Sequence, residues 1–350
     1  MPLLTTTIGS YPKPAYVSTP DWFRGESTSD PNPTSRYNDY LNGRGAEKEA
    51  ALVQGTREIL LDQVQAGIDI PTDGEIRREN YIHYHCRHLD GIDFAHLSEK
   101  TMRSGSWTAW VPTIVSPIRA RAPFLPHDWR IAQSITARPI KVTVPGPMTI
   151  YDTIADAYYG DEKQAGAALA EAINAELLAL AEAGCKWIQI DEPLFAREPE
   201  KALAFGFENL ERCFHGLPPA VTRTVHMCCG YPDRLDNEAY TKADLQAYFL
   251  LADPIEASSI QAVSLEDAHR HNDLRLLERF RSTKVILGVV AIARSRVETT
   301  EEIRARLVEA LRHIDSERLI VAPDCGLGML ERETAIAKLS NMSAAARSFV

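Results

Sequence analysis

Short apolar runs alternate with longer amphipathic segments along almost the whole of this 350-residue chain. Eight of the runs have the length of a β-strand and show little polar alternation, which is typical of parallel strands covered on both faces. The predicted strands are residues 3–8, 67–71, 140–144, 187–190, 221–226, 260–265, 284–290 and 318–322. The pattern therefore predicts an α/β fold built on a parallel sheet.

Between most of these runs, apolar residues recur at helical spacing. Residues 162–183 are the clearest case, because leucines and an isoleucine recur there among many alanines. The other predicted helices are residues 46–66, 198–213, 242–251, 273–281, 300–314 and 332–349. Eight strands in this alternation predict a single (β/α)8 TIM barrel over residues 1–350, and a doubly wound sheet is the alternative.

Two segments interrupt the alternation. Residues 11–44 are rich in Pro, Ser, Asp, Asn and Gly, and this composition predicts a long N-terminal loop over the barrel mouth or a partner contact. Residues 80–138 separate the second and third predicted strands and carry several tryptophans and histidines. We interpret them as an insertion that forms a cap or a hairpin.

Polar residues with chemical potential follow nearly every predicted strand. They are Gly9-Ser10, Asp73-Gly74-Glu75, Pro145-Gly146-Pro147, Asp191-Glu192-Pro193, His226-Met227-Cys228, Glu266-Asp267 and Asp324-Cys325-Gly326. The carboxyl ends of the strands converge at one mouth of a barrel, where such enzymes place their active sites. This placement favours the barrel over the doubly wound sheet.

One imidazole, two thiols and a carboxylate among these residues predict a zinc site. His226 and Cys228 are two residues apart, so their side chains leave a strand on the same face. Glu266 and Cys325 follow later strands, and the four side chains together match the ligand preference of Zn²⁺. The alternative is that the cysteines are buried packing residues and that the glutamate is solvated. Cys229 is predicted to point the other way, and Cys86, Cys185 and Cys213 to pack.

The charge of such a site indicates its chemistry. Zn²⁺ with two thiolates and one carboxylate carries a net negative charge, so it activates water poorly. It can still bind an incoming thiol and hold it deprotonated, since a coordinating thiol loses its proton. The residues thus predict S-alkylation, with hydrolysis as the second choice.

Composition limits the location and the partners. The net charge is −10 and no long basic run occurs, which disfavours nucleic acid as a partner. No apolar run is long enough to span a bilayer, and the N-terminus lacks the pattern of a signal peptide. Six cysteines in a chain of this length do not resemble a disulfide framework. We expect a cytoplasmic protein with reduced thiols, either as a monomer or as an oligomer.

The motifs together resemble the cobalamin-independent methionine synthase family, specifically the C-terminal catalytic barrel in its short, single-barrel form. The matching residues are Thr7-Ile8-Gly9-Ser10-Tyr11-Pro12, Asp73-Gly74-Glu75, Pro145-Gly146-Pro147-Met148-Thr149, Gln189-Ile190-Asp191-Glu192-Pro193, His226-Met227-Cys228, Glu266 and Pro323-Asp324-Cys325-Gly326-Leu327. Each motif alone is weak, whereas their combination and order are specific to this family.

The resemblance implies roles for particular residues. His226, Cys228, Glu266 and Cys325 would be the zinc ligands. The turn formed by Ile8, Gly9 and Ser10 would receive the carboxylate of an amino acid, and Glu75 and Asp191 would receive its ammonium group. Backbone N–H groups and a hydroxyl suit a carboxylate, and paired acids suit a cation. For Asp191 and Glu192 the alternative is an ion pair with a barrel arginine.

Two departures from the family weaken the case for methyltetrahydrofolate as the methyl donor. Thr153 occupies the place of a tryptophan that stacks on the pterin in folate-dependent members. Ala293 occupies the place of a histidine thought to deliver a proton. The related epoxyalkane–coenzyme M transferases therefore remain an alternative. A sulfonate thiol prefers cationic partners, and five arginines lie near the predicted mouth: Arg77, Arg78, Arg87, Arg294 and Arg296.

The sequence thus predicts a zinc-dependent thiol alkyltransferase that acts on a small-molecule thiol and an alkyl donor. Methyl transfer to homocysteine, giving methionine, is the leading hypothesis, with a methyl corrinoid or another small methyl compound in place of folate. Epoxide opening by a thiol such as coenzyme M is the first alternative. A non-catalytic zinc-bearing barrel is the second.

Overall fold

The computed structural model describes residues 2–21, 33–43, 45–102, 107–231, 234–237 and 240–349. These residues form ten strands. In chain order the strands are β1 (Leu4–Thr5), β2 (Leu89–Met102), β3 (Trp107–Ala120), β4 (Lys141–Pro145), β5 (Ala155–Asp156), β6 (Trp187–Asp191), β7 (Thr222–Met227), β8 (Ala262–Leu265), β9 (Lys284–Val290) and β10 (Leu319–Pro323).

Seven strands form one parallel, curled sheet. Its order is β1-β10-β9-β8-β7-β6-β4, and every pair in it is parallel. Seven of the eight predicted strand runs lie in this sheet, so the α/β prediction and its parallel pairing are confirmed. A parallel sheet of this kind is covered on both faces, so the side chains on both sides of each strand are apolar. This explains the nearly continuous apolar sequence of each run.

The remaining predicted run, residues 67–71, forms single bridges instead of a strand. Ile70 bridges Thr6 beyond β1, and Thr72 bridges Lys141 at the start of β4, both in parallel orientation. Lys141 N–H donates to the Pro71 carbonyl at 2.9 Å. One segment thus contacts both edge strands of the sheet.

Helices occupy most of the connections. They are α1 (Pro33–Asn42), α2 (Ala46–Gln65), α3 (Tyr81–Cys86), α4 (Leu125–Gln133), α5 (Pro147–Thr153), α6 (Glu162–Ala183), α7 (Pro193–Arg197), α8 (Pro199–Lys201), α9 (Phe207–Phe214), α10 (Gln246–Ala257), α11 (Thr300–Ala310) and α12 (Arg332–Arg347). Helix α6 has the predicted bounds: Asp161 caps it by accepting from Lys163 N–H and Gln164 N–H, and Gly184 ends it at a φ of 112°.

Two predicted helices differ from the structure. Residues 198–213 form α8, a π-helical turn (Ala202–Gly206) and α9 in succession rather than one α-helix. Residues 273–281 contain a 3₁₀ helix (Leu274–Arg279), which Asp273 caps by accepting from Arg275 N–H. Apolar periodicity does not distinguish these tighter and wider helices from an α-helix over so few turns.

The prediction of a loop over residues 11–44 is wrong for residues 33–42, which form α1. Tyr37 and Tyr40 of this helix pack with Tyr84 in a separate apolar cluster, so tertiary packing stabilises a polar sequence as a helix. Residues 22–32 and 44, which belong to the same predicted loop, lie outside the described residues.

The segment 80–138 contains α3, a long antiparallel hairpin of β2 and β3, and α4. Residues 103–106 of this segment lie outside the described residues. Strand β5 adds to β3 in parallel and completes a second sheet. Lys100 Nζ of the hairpin donates to the carbonyls of Tyr151 at 2.9 Å and Ile154 at 2.6 Å. The hairpin is therefore tied to α5, which follows β4.

The sheet has two apolar faces. A small cluster of side chains from alternate positions lies on one face: Ile8, Ala262, Ile286, Ile320 and Ala322. The intervening residues, such as Val263 and Val321, belong to the large cluster that includes the helices. Where this first face continues onto β4, β6 and β7, its side chains are polar, as at Thr143, Gln189 and Thr224. The candidate site lies at this part of the sheet. Among the described residues, no helix combines the length and apolarity that crossing a bilayer requires.

Candidate active site

Three of the predicted metal ligands come together at the carboxyl ends of the strands. The side-chain ligand atoms of His226, Cys228 and Cys325 all lie within 4.8 Å of one another. His226 Nε2 is 3.4 Å from Cys325 Sγ. Glu266 joins this group, because Cys228 Sγ donates to Glu266 Oε1 at 2.9 Å.

Neighbouring strands set the orientation of these side chains. His226 is on β7, and its Nδ1 lies 2.9 Å from Ser264 Oγ on β8, which leaves Nε2 directed at the thiols. In metal-binding histidines, the ring nitrogen that does not face the metal regularly has a hydrogen-bonding partner, as Nδ1 of His226 has here.

The side chain of Cys229 lies on the opposite face, as predicted, and its Sγ donates to the Tyr248 hydroxyl at 3.1 Å.

The donor set fits a tetrahedral metal ion. Metal–ligand distances of about 2.0 to 2.3 Å place the ligand atoms of a zinc tetrahedron about 3.3 to 3.8 Å apart. Burial raises the pKa of Glu266, and the contact with Cys325 followed by burial raises the pKa of Cys228. Burial also lowers the pKa of His226 to about 3, so the imidazole is neutral, as a ligand must be. These acidic groups crowd together in a way that a bound cation would stabilise.

A second group of predicted residues lies beside the first. Gly9 approaches Glu75 so closely that a Cβ at position 9 would lie 2.8 Å from Glu75 Oε1. Gln189 Nε2 donates both to the Ile8 carbonyl at 2.8 Å and to Asp191 Oδ1 at 2.7 Å. The fold thus brings Ile8, Gly9, Glu75 and Asp191 together.

Ser10 connects this group to the cysteine loop. The Ser10 carbonyl accepts from Leu327 N–H at 2.7 Å, and a Cβ at Gly326 would lie 2.2 Å from Ser10 Oγ. Glycine at position 326 therefore lets the Ser10 turn lie directly against the loop that carries Cys325. The predicted substrate residues and the predicted metal ligands therefore lie side by side, and we call the region that they line the cleft.

Glu75 and Asp191 form a buried acidic pair. Thr143 Oγ1 donates to Glu75 Oε1 at 2.8 Å, and Arg78 Nη1 donates to the same oxygen at 3.2 Å. Burial and then the charge of Glu75 raise the pKa of Asp191 to about 8. Glu75 also has a positive φ of 57°, which is unusual for a non-glycine residue and consistent with a functional position. A cation between the two carboxylates would be favoured electrostatically.

The Glu192 carboxylate is held by hydrogen bonds from α5, and no arginine of the described residues lies within ion-pair distance of it; Arg197 pairs with Asp152 instead. Its carboxylate accepts from Met148 N–H at 3.0 Å, Thr149 N–H at 3.2 Å and Thr149 Oγ1 at 2.8 Å. These donors form the first turn of α5, where an acidic group is favoured by the helix dipole. Glu192 therefore fixes α5 above β4, and Asp191 faces the cleft.

Sequence reasoning missed two residues of this region. Tyr81 of α3 lies near Asp191, Cys228 and Cys325, whose charges add to burial in raising the pKa of its phenol. Lys141 is fully buried at the start of β4. Its sequence signal was a lysine within the predicted apolar run of residues 140–144, where a charged side chain is unusual because both faces of such a strand are covered.

The places of the two missing family residues are filled by local contacts. Thr153 Oγ1 donates to the Thr149 carbonyl of its own helix at 2.8 Å. Ala293 N–H donates to His269 Nε2 at 3.0 Å, and His269 Nδ1 lies 2.7 Å from Asp324 Oδ2. Neither position presents an aromatic platform or a free acid to the cleft.

Most of the arginines near the mouth already have carboxylate partners. Arg77 contacts Glu49 at 2.6 Å, and Arg87 contacts Glu79 at 2.7 Å. Arg78 pairs with Glu75 and Arg296 with Glu302. Because these guanidinium groups are engaged, the structure does not favour the sulfonate-thiol alternative.

Fold and site together define a class: an α/β enzyme whose curled parallel sheet holds an imidazole–thiol group able to bind a metal beside a buried acidic pair. The sequence profile of a family described as "Cobalamin-independent synthase, Catalytic domain" matches residues 3–203 and 224–348. The chain belongs to this family, as the motifs predicted, and it is an enzyme of the methyltransferase class.

Named relatives agree with this assignment. A methionine synthase of Thermococcus kodakarensis is 29% identical over 98% of this chain and 92% of that protein. A methionine synthase of Saccharolobus solfataricus is also 29% identical, over 98% and 93% of the two chains. Among solved structures, a B12-independent methionine synthase from Shewanella sp. W3-18-1 in complex with selenomethionine is 30% identical, with a TM-score of 0.87 over 99% of this chain and 97% of that chain.

Proposed function

We propose that this enzyme transfers a methyl group to the sulfur of homocysteine and that His226, Cys228, Glu266 and Cys325 hold the zinc ion it requires. The observation that carries the proposal is the adjacency of the ligand cluster to the buried pair Glu75 and Asp191. A thiol group of an amino acid and its ammonium group could be bound at the same time in one cleft. The names of the relatives support methionine as the product.

We also infer that the sheet closes as a (β/α)8 barrel, with residues 70–72 between β1 and β4 as the eighth member. The two parallel bridges of this segment support closure. The segment 80–138 would then be an insertion after the second member, with its hairpin as a cap near the mouth. Six free cysteines are in keeping with a cytoplasmic enzyme.

Zinc held by these residues would supply a positive charge that lowers the pKa of an incoming thiol and keeps the sulfur nucleophilic. The sulfur–methyl bond forms as the bond between the methyl carbon and its donor breaks. The proton of the thiol leaves to solvent or to a buried carboxylate. The neutral imidazole of His226 and its contact with Ser264 keep the ligand geometry fixed while this happens.

The chain's own residues would orient the amino acid. Backbone N–H groups and the hydroxyl of the Ile8-Gly9-Ser10 turn suit its carboxylate, and Glu75 with Asp191 suits its ammonium. Ser10 and Asp191 are each only 8% exposed, so these contacts would form away from bulk water, where they are stronger. Holding both ends of the amino acid fixes the position of its sulfur.

Thr153 and Ala293 point to a donor other than methyltetrahydrofolate. The cleft offers no aromatic platform at position 153, and the backbone of Ala293 uses the ring nitrogen of His269. A folate leaving group is an amine that needs a proton, whereas a methyl corrinoid departs without one. We therefore infer a methyl corrinoid or another small methyl compound as the donor.

The proposal is tested by supplying purified, zinc-loaded enzyme with homocysteine and one methyl donor at a time. Methionine is expected with methylcobalamin or another small methyl compound. The rate should be at least about tenfold above the rate with methyltetrahydrofolate, which corresponds to a difference of about 1.4 kcal/mol in activation free energy. Formation of methionine is followed by mass spectrometry with a deuterated methyl group. No methionine from any donor would contradict the proposed reaction, and faster reaction with folate would contradict the inferred donor.

Asp191→Asn is expected to raise the KM for homocysteine by about 10- to 100-fold, because a charge-assisted contact of about 1.5 to 3 kcal/mol to the ammonium is lost. The matched substrate is 4-mercaptobutanoate, which is homocysteine without its amino group. The KM for 4-mercaptobutanoate should be nearly equal in wild type and variant, because this thiol has no ammonium group to contact Asp191. Steady-state kinetics with both thiols measures the effect, and an equal loss for both would contradict an ammonium site at Asp191.

A further inference from the structure

Lys141 is a fully buried lysine near the candidate site. Its side chain is 0% exposed, and its Nζ has no hydrogen-bond partner among the residues that the structure describes. It opens β4 and lies two residues before Thr143, whose hydroxyl donates to Glu75. Side chains two apart share a strand face, so Lys141 lies beneath the acidic pair on the inner face of the sheet.

Two acceptors on the adjacent strands are also unsatisfied. Gln189 Oε1 and Thr224 Oγ1 are buried without a partner within the described ranges. Gln189 pairs with Thr143 of β4 on one side and with Thr224 of β7 on the other. Lys141, Gln189 and Thr224 thus lie on one face of three consecutive strands of the sheet, β4, β6 and β7. Buried polar groups are normally hydrogen-bonded, directly or through one water molecule, and no direct bond joins these three among the described residues.

Gln189 leads from this group to the candidate substrate site. Its Nε2 donates to Asp191 Oδ1 at 2.7 Å and to the Ile8 carbonyl at 2.8 Å. The amide oxygen therefore points away from the cleft, and an ammonium donating to it would fix the amide in the orientation that contacts Asp191. A hydrogen-bonded chain of this kind polarises each of its members.

We propose that Lys141 is a positioning residue of the amino-acid site, which acts through the Gln189 amide to hold Asp191 charged and turned toward the ammonium group of the substrate. The inference rests on the proposed function, because it assigns a role in binding that amino acid. Lys141 touches neither the substrate nor the metal ligands in this scheme. It makes the site selective for thiols that carry an amino group.

The electrostatic surroundings agree with this role. Burial lowers the pKa of Lys141 to about 7, and Asp191 is the charge that opposes this shift. The titratable groups facing Asp191 are Glu75 and Arg78 from the segment before α3, Lys141 from β4, Tyr81 from α3 and Cys325 after β10. Lys141 also faces His226 of β7. Lys141 and Arg78 are the cations of this set, and Arg78 contacts Glu75 directly.

The test uses cobalt-substituted enzyme and follows the thiolate-to-metal absorption during titration with homocysteine or 4-mercaptobutanoate. Lys141→Met is expected to weaken homocysteine binding about tenfold, the change equivalent to one pKa unit, and to change 4-mercaptobutanoate binding by less than about twofold. In turnover, KM for homocysteine should rise while kcat stays within about twofold. Lys186→Met is the control: it makes the same replacement at an exposed lysine one residue before β6, and both affinities should be unchanged.

Gln189→Met provides a second variant that keeps the lysine but removes the link, and it should show the same selective loss. It decides the question if Lys141→Met fails to fold. Unchanged homocysteine affinity in a folded variant would overturn the inference, and so would an equal loss for both thiols, which indicates a purely structural role. A wild-type protein whose spectrum responds to neither thiol would overturn the proposed function, and this inference with it.

Discussion

Replacing Cys325 with serine is expected to remove most of the bound metal and to lower turnover by more than about 100-fold. Cys325 supplies one of three ligand atoms that lie within 4.8 Å of one another, and a serine hydroxyl is a much weaker ligand than a thiolate. Replacing a residue that only hydrogen-bonds to a metal ligand already lowers metal affinity or activity by about 10- to 100-fold. Loss of a ligand itself should exceed this range. Metal content by mass spectrometry and the rate of methionine formation measure the effect.

Cys229→Ser is the matched control for this prediction. Cys229 is a buried free cysteine directly after the proposed ligand Cys228, but its Sγ donates to Tyr248 on the other face of the strand. A serine hydroxyl can make the same hydrogen bond, so metal content and activity should stay within about twofold of wild type. If the two variants lost metal equally, the assignment of Cys325 as a ligand would be wrong.

The second large effect is expected for stability: Asp324→Asn should lower the free energy of unfolding by about 3 to 5 kcal/mol. Asp324 is 0% exposed. Its Oδ1 accepts from Asp267 N–H and Ala268 N–H, each at 2.9 Å, and its Oδ2 accepts from His269 N–H and contacts His269 Nδ1, each at 2.7 Å. An asparagine side chain must turn an NH₂ group toward two of these donors, so buried donors are left without an acceptor.

Urea unfolding at several pH values measures this loss. Burial would raise the pKa of Asp324, but the contacts with His269 and the backbone N–H groups outweigh burial and hold the pKa below its ordinary value. The stabilisation is therefore present above the unfolded pKa of about 4 and is lost as the pH falls through the lower folded pKa. The difference between wild type and variant should shrink in acid.

Asp273→Asn is the control for this measurement. Asp273 is an exposed cap whose Oδ1 accepts from Arg275 N–H, and asparagine caps a helix about as well as aspartate. Its effect should be below about 1 kcal/mol. A loss of that small size at position 324 would show that the buried carboxylate does not organise the loop after β8.

Local patterns were sufficient to predict most of the sheet and several helices. Strand β9 has the predicted bounds because its residues are apolar on both faces, and α6 has them because a cap and a glycine mark its ends. Residues 67–71 were predicted as a strand, whereas the structure shows only single bridges, at Ile70 and Thr72, to the two edges of the sheet. Helix α1 could not be predicted from composition, since packing of Tyr37 and Tyr40 stabilises it.

The candidate site was predictable to a different extent for each residue. Cysteine and histidine two apart after an apolar run are rare enough in combination to suggest a ligand pair, and His226 and Cys228 do lie with Cys325. Asp191 and Glu192 are adjacent in sequence and equally acidic, and no local rule distinguishes them. The structure does so, because Glu192 accepts hydrogen bonds from the first turn of α5.

By itself, the sequence determined the α/β class, the parallel pairing and the identity of the reactive side chains, because these depend on residue type and on spacing along one strand. Only the tertiary structure decided which of those side chains meet. Cys325 lies 99 residues after His226, and Gln189 donates to the Ile8 carbonyl, which is 181 residues away in the chain. Contacts of this kind are set by strand order and register across the sheet, which no short window of residues contains.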